Sequence, residues 1–179
     1  MFAKILVAAD HSAMGKHVFR TALSLAKATG ASLQLLHVLS LNEEGSPGLP
    51  LFQGLDYYPM GNDSALDIYQ REWEAYERKG LEFLRSIATE AQAAGVSAEW
   101  TQMSGSPERS ICDLARTWEA DLIVLGNRGR TGWSELFLGS VSNYVVHHAP
   151  CSVFVVRAPI PVDSAAPESA RTEPAPIST

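Results

Sequence analysis

The chain is short of cysteine, short of basic residues and without a long apolar run, and each shortage excludes a class of protein. Cys112 and Cys151 are the only cysteines in 179 residues. No CxxC or Cys/His cluster surrounds them, so neither a zinc ribbon nor a disulfide framework is implied. They read as two thiols in apolar surroundings within a reducing compartment. Lys and Arg number 14 against 20 Asp and Glu, a formal charge of −6. That balance argues against nucleic acid and against an anionic membrane as partners, because phosphate surfaces attract strongly basic faces. The opening apolar run, KILVAA, is broken at Asp10. It is too short for a secretory signal and far too short to cross a bilayer, which points to a cytoplasmic protein.

What is present suffices for one core. Apolar residues make up 46% of the chain, and the length suits a single globular domain. From Ala158 onward the sequence reads APIPVDSAAPESARTEPAPIST, with half of the chain's ten prolines and no aromatic residue. Such a stretch buries too little apolar surface to offset its ordering entropy, so 158–179 reads as a disordered tail and 1–157 as the folded unit.

Within 1–157, strand-like and helix-like patterns alternate. Residues 4–9 form a short apolar run, as in a strand buried on both faces. Met14, Val18, Ala22 and Leu25 follow at helical spacing, and Gly30 is placed to end that helix. Residues 33–39 (LQLLHVL) make a second strand. Tyr69, Trp73, Tyr76, Phe83, Ile87, Ala91 and Ala94 mark one face of a long helix that stops at Gly95. A third strand, 96–103, alternates as an edge strand would. Ser106-Pro107 reads as a helix start, with a capping hydroxyl and a proline preset for the first turn. Ile111, Leu114, Ala115 and Trp118 give that helix its buried face. Strands at 121–125 and 151–156 flank a last helix over about 139–148. This alternation means βαβ units with right-handed crossovers: one doubly wound α/β domain, a five-stranded parallel sheet with helices on both faces. One segment breaks the rhythm. Residues 40–63, rich in Gly, Pro and apolar side chains such as Leu51, Phe52 and Tyr57, are too long for an ordinary connection. They read either as a loop packed on its own domain or as a flap that contacts a partner.

In an open parallel sheet, ligands bind outside the carboxyl ends of the strands, where strand order reverses. Two loops are placed for that role: Asp10-His11-Ser12 after the first strand, and 126–140, GNRGRTGWSELFLGS, after the fourth. In the second loop Gly126, Gly129 and Gly132 let backbone turn sharply and approach a ligand. Gly139, Ser140, Val141 and Ser142 open a helix, whose unpaired N–H groups suit phosphate oxygens. Arg128 and Arg130 add positive charge. The plainer alternative is that the glycines only make turns, that Ser140 only caps, and that Asp10 is only a helix N-cap. Trp133 either shields a ligand or anchors the loop. His11 reads as a solvated loop residue, and His147-His148 as cations at a helix end rather than metal ligands. The loop is neither a P-loop nor a G-x-G-x-x-G fingerprint. Nor does the chain contain a G-x-S-x-G nucleophile elbow.

Gly126-x-x-Gly129, nine residues, then Gly139-Ser140 resembles the ATP-binding signature of the universal stress protein family. The similarity runs through KILVAAD with Asp10-x-Ser12, LLHVL, SGSPERSICDLARTWEADLIVLGNRGRTG and LFLGSVSNYVVHHAPCSVFVV. Ser152 stands where the family usually has proline. The resemblance implies a Rossmann-like sheet of order 3-2-1-4-5 that brings both loops to one cleft. It implies that Asp10 and the backbone of Val38 hold adenine, and that Ala8 and Gly126 lie against ribose. Asn127, Arg128, Gly129 and Arg130 would then wrap the phosphates with Gly139, Ser140, Val141 and Ser142, and Ser12 belongs to the same cleft. A magnesium or manganese ion would be carried mainly by phosphate oxygens. The resemblance also implies a homodimer through the last strand, whose edge is otherwise exposed, and an ATP-dependent regulator of stress response acting through an unidentified protein partner. Two alternatives stay open: a slow ATPase or related nucleotide-using enzyme, and an interaction module working through 40–63. The net charge does not oppose a small phosphate ligand. Residues 1–40 carry four bases against one acid and 126–157 three against one, while 41–99 carry four against eleven.

Overall fold

The computed structural model describes residues 1–41, 45–47, 63–127 and 138–157, the side chains of 63–65 excepted. The expectations for the 158–179 tail, for most of 40–63, and for Arg128, Gly129, Arg130 and Trp133 lie outside those residues. The elements run β1 (Lys4–Ala8), α1 (Ala13–Thr29), β2 (Ser32–Leu39), α2 (Asp63–Ala93), β3 (Ala98–Ser104), α3 (Pro107–Trp118), β4 (Leu122–Gly126), α4 (Ser140–His148) and β5 (Ser152–Val156). The five strands form one parallel sheet in the order β3-β2-β1-β4-β5. Among the described residues no helix is long and apolar enough to cross a membrane.

Alternate residues of the inner strands feed two cores, which is why β1 and β4 read as apolar runs. Ile5, Val7, Leu33, Leu35, Leu122 and Val124 face α1 and α2. Leu6, Leu36, Ile123 and Leu125 face α3 and α4, where Ile111, Ala115 and Val145 meet them. Tyr76, Phe83, Ile87 and Ala91 are the buried face of α2, as their spacing indicates. Glu72, Glu74, Glu77 and Glu82 line its exposed side. Cys112 is buried and Cys151 half-buried, both as free thiols whose pKa burial pushes up.

Two strand starts differ from the sequence expectation for a hydrogen-bonding reason. β3 begins at Ala98 rather than 96, because Val96 donates its N–H back to Ala91 O at the end of α2. Gly30 ends α1 in the left-handed region (φ 72°), as placed. Ser106 occupies the cap position of α3 and Pro107 its first turn, but the Ser106 hydroxyl makes no capping bond. β4 begins at Leu122 because Asp121 works across the sheet's amino edge. Its Oδ2 accepts N–H bonds from Ala3 (2.8 Å) and Lys4 (2.9 Å), and its own N–H donates to Lys4 O at 2.9 Å.

Those two donated bonds hold the Asp121 carboxyl below the usual aspartate range, burial opposing them weakly. A carboxylate depressed in the folded state adds stability above its unfolded pKa and loses it as pH falls through the folded one. Asp121→Ala should therefore be less stable than the parent chain at pH 7. The gap should close as pH is lowered from roughly 5 to 2, read by urea denaturation at each pH. A gap independent of pH overturns the assignment.

Candidate functional site

The central strand is shorter than its neighbours at the carboxyl edge, and a notch results. Ala8, the last residue of β1, pairs with Leu36 on one side and Leu125 on the other. Ala9 donates one further bond to Leu36 O at 3.0 Å. Beyond that point β2 continues through His37, Val38 and Leu39, paired with β3 alone. β4 continues to Gly126, paired with β5 through Val156. Successive residues of a parallel strand turn their backbone groups to opposite neighbours. Leu36 bonds toward β1 and Leu39 O accepts from Gly105 on the β3 side, so Val38 turns its N–H and C=O toward the notch. Chain order reverses here as well: β1 leads to β2 on one side, while β4 lies on the other.

The turn above β1 is held by its own side chains. Asp10 Oδ1 accepts the backbone N–H of Ser12 at 3.0 Å and also the Ser12 hydroxyl proton. Ser12 Oγ in turn accepts the N–H of Gly15 at 3.1 Å and is the N-cap of α1. Asp10 is therefore not the helix cap. Ser12 caps, and Asp10 orients Ser12. Gly15 allows this arrangement. A Cβ there would collide with the Asp10 carbonyl oxygen and lie 2.5 Å from Oδ1 and 2.7 Å from Asp10 N. The sequence reading missed Gly15, although a glycine in the first turn of an amphipathic helix, where alanine is favoured, was a usable signal.

On the β4 side, Asn127 Oδ1 accepts the N–H of Gly139 at 3.0 Å, tying together the two ends of the 126–140 loop. Asn127 N–H donates to Val156 O at 2.9 Å. Gly139, not Ser140, is the cap residue of α4, and no side chain caps there. Its φ of −59° and ψ of 158° suit any residue, so backbone conformation does not explain the missing side chain. Ser140 is exposed and Val141 half-exposed at the first turn. Ser142 is 2% exposed, and its hydroxyl donates to Gly139 O at 3.1 Å. It braces the cap rather than facing outward. Gly126 has a packing reason for lacking a side chain: a Cβ would sit 3.0 Å from Val18 Cγ2 and 3.2 Å from Met14 Cγ, against α1. The described part of the site thus brings together Ala8, Asp10, Ser12, Val38, Gly126, Asn127, Gly139 and Ser140 around one notch.

The histidines sit in different surroundings. His11 is exposed. His148 stacks on Tyr144 at 4.0 Å between ring centroids and lies 2.8 Å from Tyr144 O through Nδ1. Among the described residues no group of three His, Cys, Asp or Glu could hold a metal ion.

Comparison with known proteins agrees with this architecture. The model of the universal stress protein family matches residues 1–157. A universal stress protein of Synechocystis is 36% identical over 159 residues, covering 87% of this chain and 98% of its own. The solved universal stress protein of Lactobacillus plantarum superposes with a TM-score of 0.65 at 28% identity, over 87% of this chain and 98% of its own. A universal stress protein solved in complex with cAMP superposes with a TM-score of 0.59 at 25% identity, over 87% and 97%.

Gly15→Ala gains about 1 kcal/mol in helix propensity. It should nonetheless lower stability by about 2 kcal/mol or more, because the new methyl group meets backbone that cannot yield. Chemical denaturation decides it. A variant as stable as the parent means that the Asp10 turn is not clamped by α1.

Proposed function

The chain belongs to the universal stress protein family, and from that premise we propose that it is a cytoplasmic nucleotide-responsive regulator that binds ATP in the notch above β1. The observation that carries the reading is the notch itself. A short central strand leaves the Val38 backbone and the fixed Asp10 carboxylate on one side, and a side-chain-free helix start at Gly139 on the other. The first pair suits the donor and acceptor edge of adenine. The second suits phosphate oxygens, which helix N-termini and their backbone N–H groups attract. Ala8 and Gly126 lie between, where a ribose would rest. Arg128, Gly129 and Arg130 complete the phosphate side in this reading, and a magnesium or manganese ion rides on the phosphates. Solved neighbours bound to cAMP, AMP and dAMP support an adenine nucleotide. The net positive charge of 1–40 and of 126–157 supports an anionic one.

Backbone donors, hydroxyls and one carboxylate engaged with Ser12 favour holding a nucleotide over turning it over. β5 is the other half of the reading. It is an edge strand with Phe154 44% exposed, which supports homodimerisation through Ser152–Val156. Because Asn127 bonds both Gly139 and Val156, a ligand at Gly139 has a short route to that edge. The folded unit is 1–157, with 158–179 as its tail.

Denaturing the purified protein and identifying the released nucleotide by mass and absorbance tests the binding claim. ATP at about one per chain supports it; an empty protein that also ignores added ATP overturns it. Asp10→Ala should weaken ATP by about ten-fold or more while leaving tripolyphosphate affinity unchanged, as expected for loss of a charge-assisted contact to the base. Sedimentation equilibrium tests the second half. Phe154→Glu should yield monomer, and ATP should change the dimer dissociation constant of the parent chain. Equal constants with and without ATP overturn the coupling.

A further inference from the structure

His37 is the only one of the five histidines that is buried, at 1% exposure. It follows Leu33 and Leu35 on the same face of β2, where the pattern asks for another leucine. An imidazole in that place is costly unless its polar atoms are bonded, and the bonding here has a direction. Gln102, its register partner on β3, donates through Nε2 to the backbone carbonyl of Glu77 in α2 at 3.1 Å. A carbonyl only accepts, so the amide is oriented with Oε1 toward His37, whose Nδ1 lies 3.2 Å away. Oε1 also only accepts, so His37 carries its proton on Nδ1. One helix carbonyl therefore sets a glutamine, and the glutamine sets the tautomer of a histidine.

The same imidazole is pressed from two further sides. Gly80, one turn beyond Glu77, brings the α2 backbone so close that a Cβ would collide with Gln102 Oε1 and His37 Nδ1, and would lie 2.7 Å from His37 Cε1. Tyr76 meets the ring edge-on at 6.5 Å between centroids. His11, from the Asp10 turn, meets it edge-on at 6.4 Å. His37 is thus the side chain that joins the end of β2 beyond β1, the Asp10 turn and α2.

We propose that His37, locked by Gln102 and the Glu77 carbonyl, is a positioning residue that holds the overhanging end of β2, and with it the Val38 backbone, at the distance the base of a nucleotide requires. The inference deepens the nucleotide reading above and rests on it. The base side of the site is then set from α2, and not only by the loops that touch the ligand.

The test uses the full chain with two readouts. One needs no nucleotide: exchange of the Gly105 amide, which donates to Leu39 O at 3.0 Å and so reports whether the end of β2 stays attached. The other is affinity for ATP set beside affinity for tripolyphosphate, which has no base. His37→Leu keeps bulk and removes the donor. It should speed Gly105 exchange and weaken ATP, each by about ten-fold, with Ile5–Val7 exchange unchanged and tripolyphosphate within about two-fold. His37→Asn, whose amide N–H replaces Nδ1–H, should restore both. Gln102→Leu removes the same bond from the other side and carries the same expectation, which stands even where His37→Leu fails to fold. Unchanged exchange and affinity in a folded variant, or equal losses for ATP and tripolyphosphate, overturn the proposal. If the parent chain binds no adenine nucleotide, the reading of the preceding subsection fails, and Gly105 exchange still decides whether His37 positions β2.

Discussion

Strand length at the centre of the sheet is the constraint from which the site follows. β1 spans only Lys4–Ala8 and is paired on both sides, so its end is fixed by hydrogen bonds to β2 and β4 rather than by its own loop. With both neighbours running on, backbone groups of Val38 and Gly126 stand at the rim of an opening that no strand fills. A longer β1 would bond those groups and erase the opening. The turn at Asp10, the Asn127–Gly139 tie and the start of α4 are all arranged around that one truncation.

Close helix approach is the second theme, and it depends on missing side chains. Gly15 lets α1 begin directly over Asp10, and Gly126 lets the same helix lie against β4. Gly80 lets α2 press on His37 and Gln102. In each case a helix or strand accepts a residue poor for its own conformation so that two elements can meet at a set distance. Loop glycines invite a reading in terms of ligands, and for Gly126 that reading overlooked the packing against Met14 and Val18. Gly139 is different, because neither its φ nor its ψ requires glycine.

Much of this was legible in the sequence, and the parts that were not share a cause. Apolar periodicity placed all five strands and four helices, because inner strands buried on both faces and amphipathic helices leave strong patterns. It also marked the third strand as an edge. The order of the strands came from the family resemblance, not from periodicity. Hydrogen bonds between distant residues escaped it: Val96 spent on Ala91, Asp121 spent on Ala3 and Lys4, and the Ser106 hydroxyl left without its expected cap. The site was readable as two loops, yet the division of labour inside them was not. That Ser12 caps while Asp10 orients it, and that Ser142 turns inward to Gly139, depends on backbone geometry that residue types alone do not specify. His37 was visible only as one letter in LLHVL, since its significance lies in Gln102, Glu77 and Gly80, far away in the chain.

The Asp121 bracket also gives the molecule a sense of time. Its carboxylate accepts from an amide 118 positions earlier, and β4 closes the second side of β1 only after three helices and three strands have been made. During synthesis β1, β2 and β3 can assemble as they emerge, but the central strand then still has an open flank. The notch acquires its second wall late, when β4 docks, and the start of α4 later still. A chain stalled or cut before that point has most of a sheet and only one wall of the notch, so a complete notch is the mark of a finished molecule.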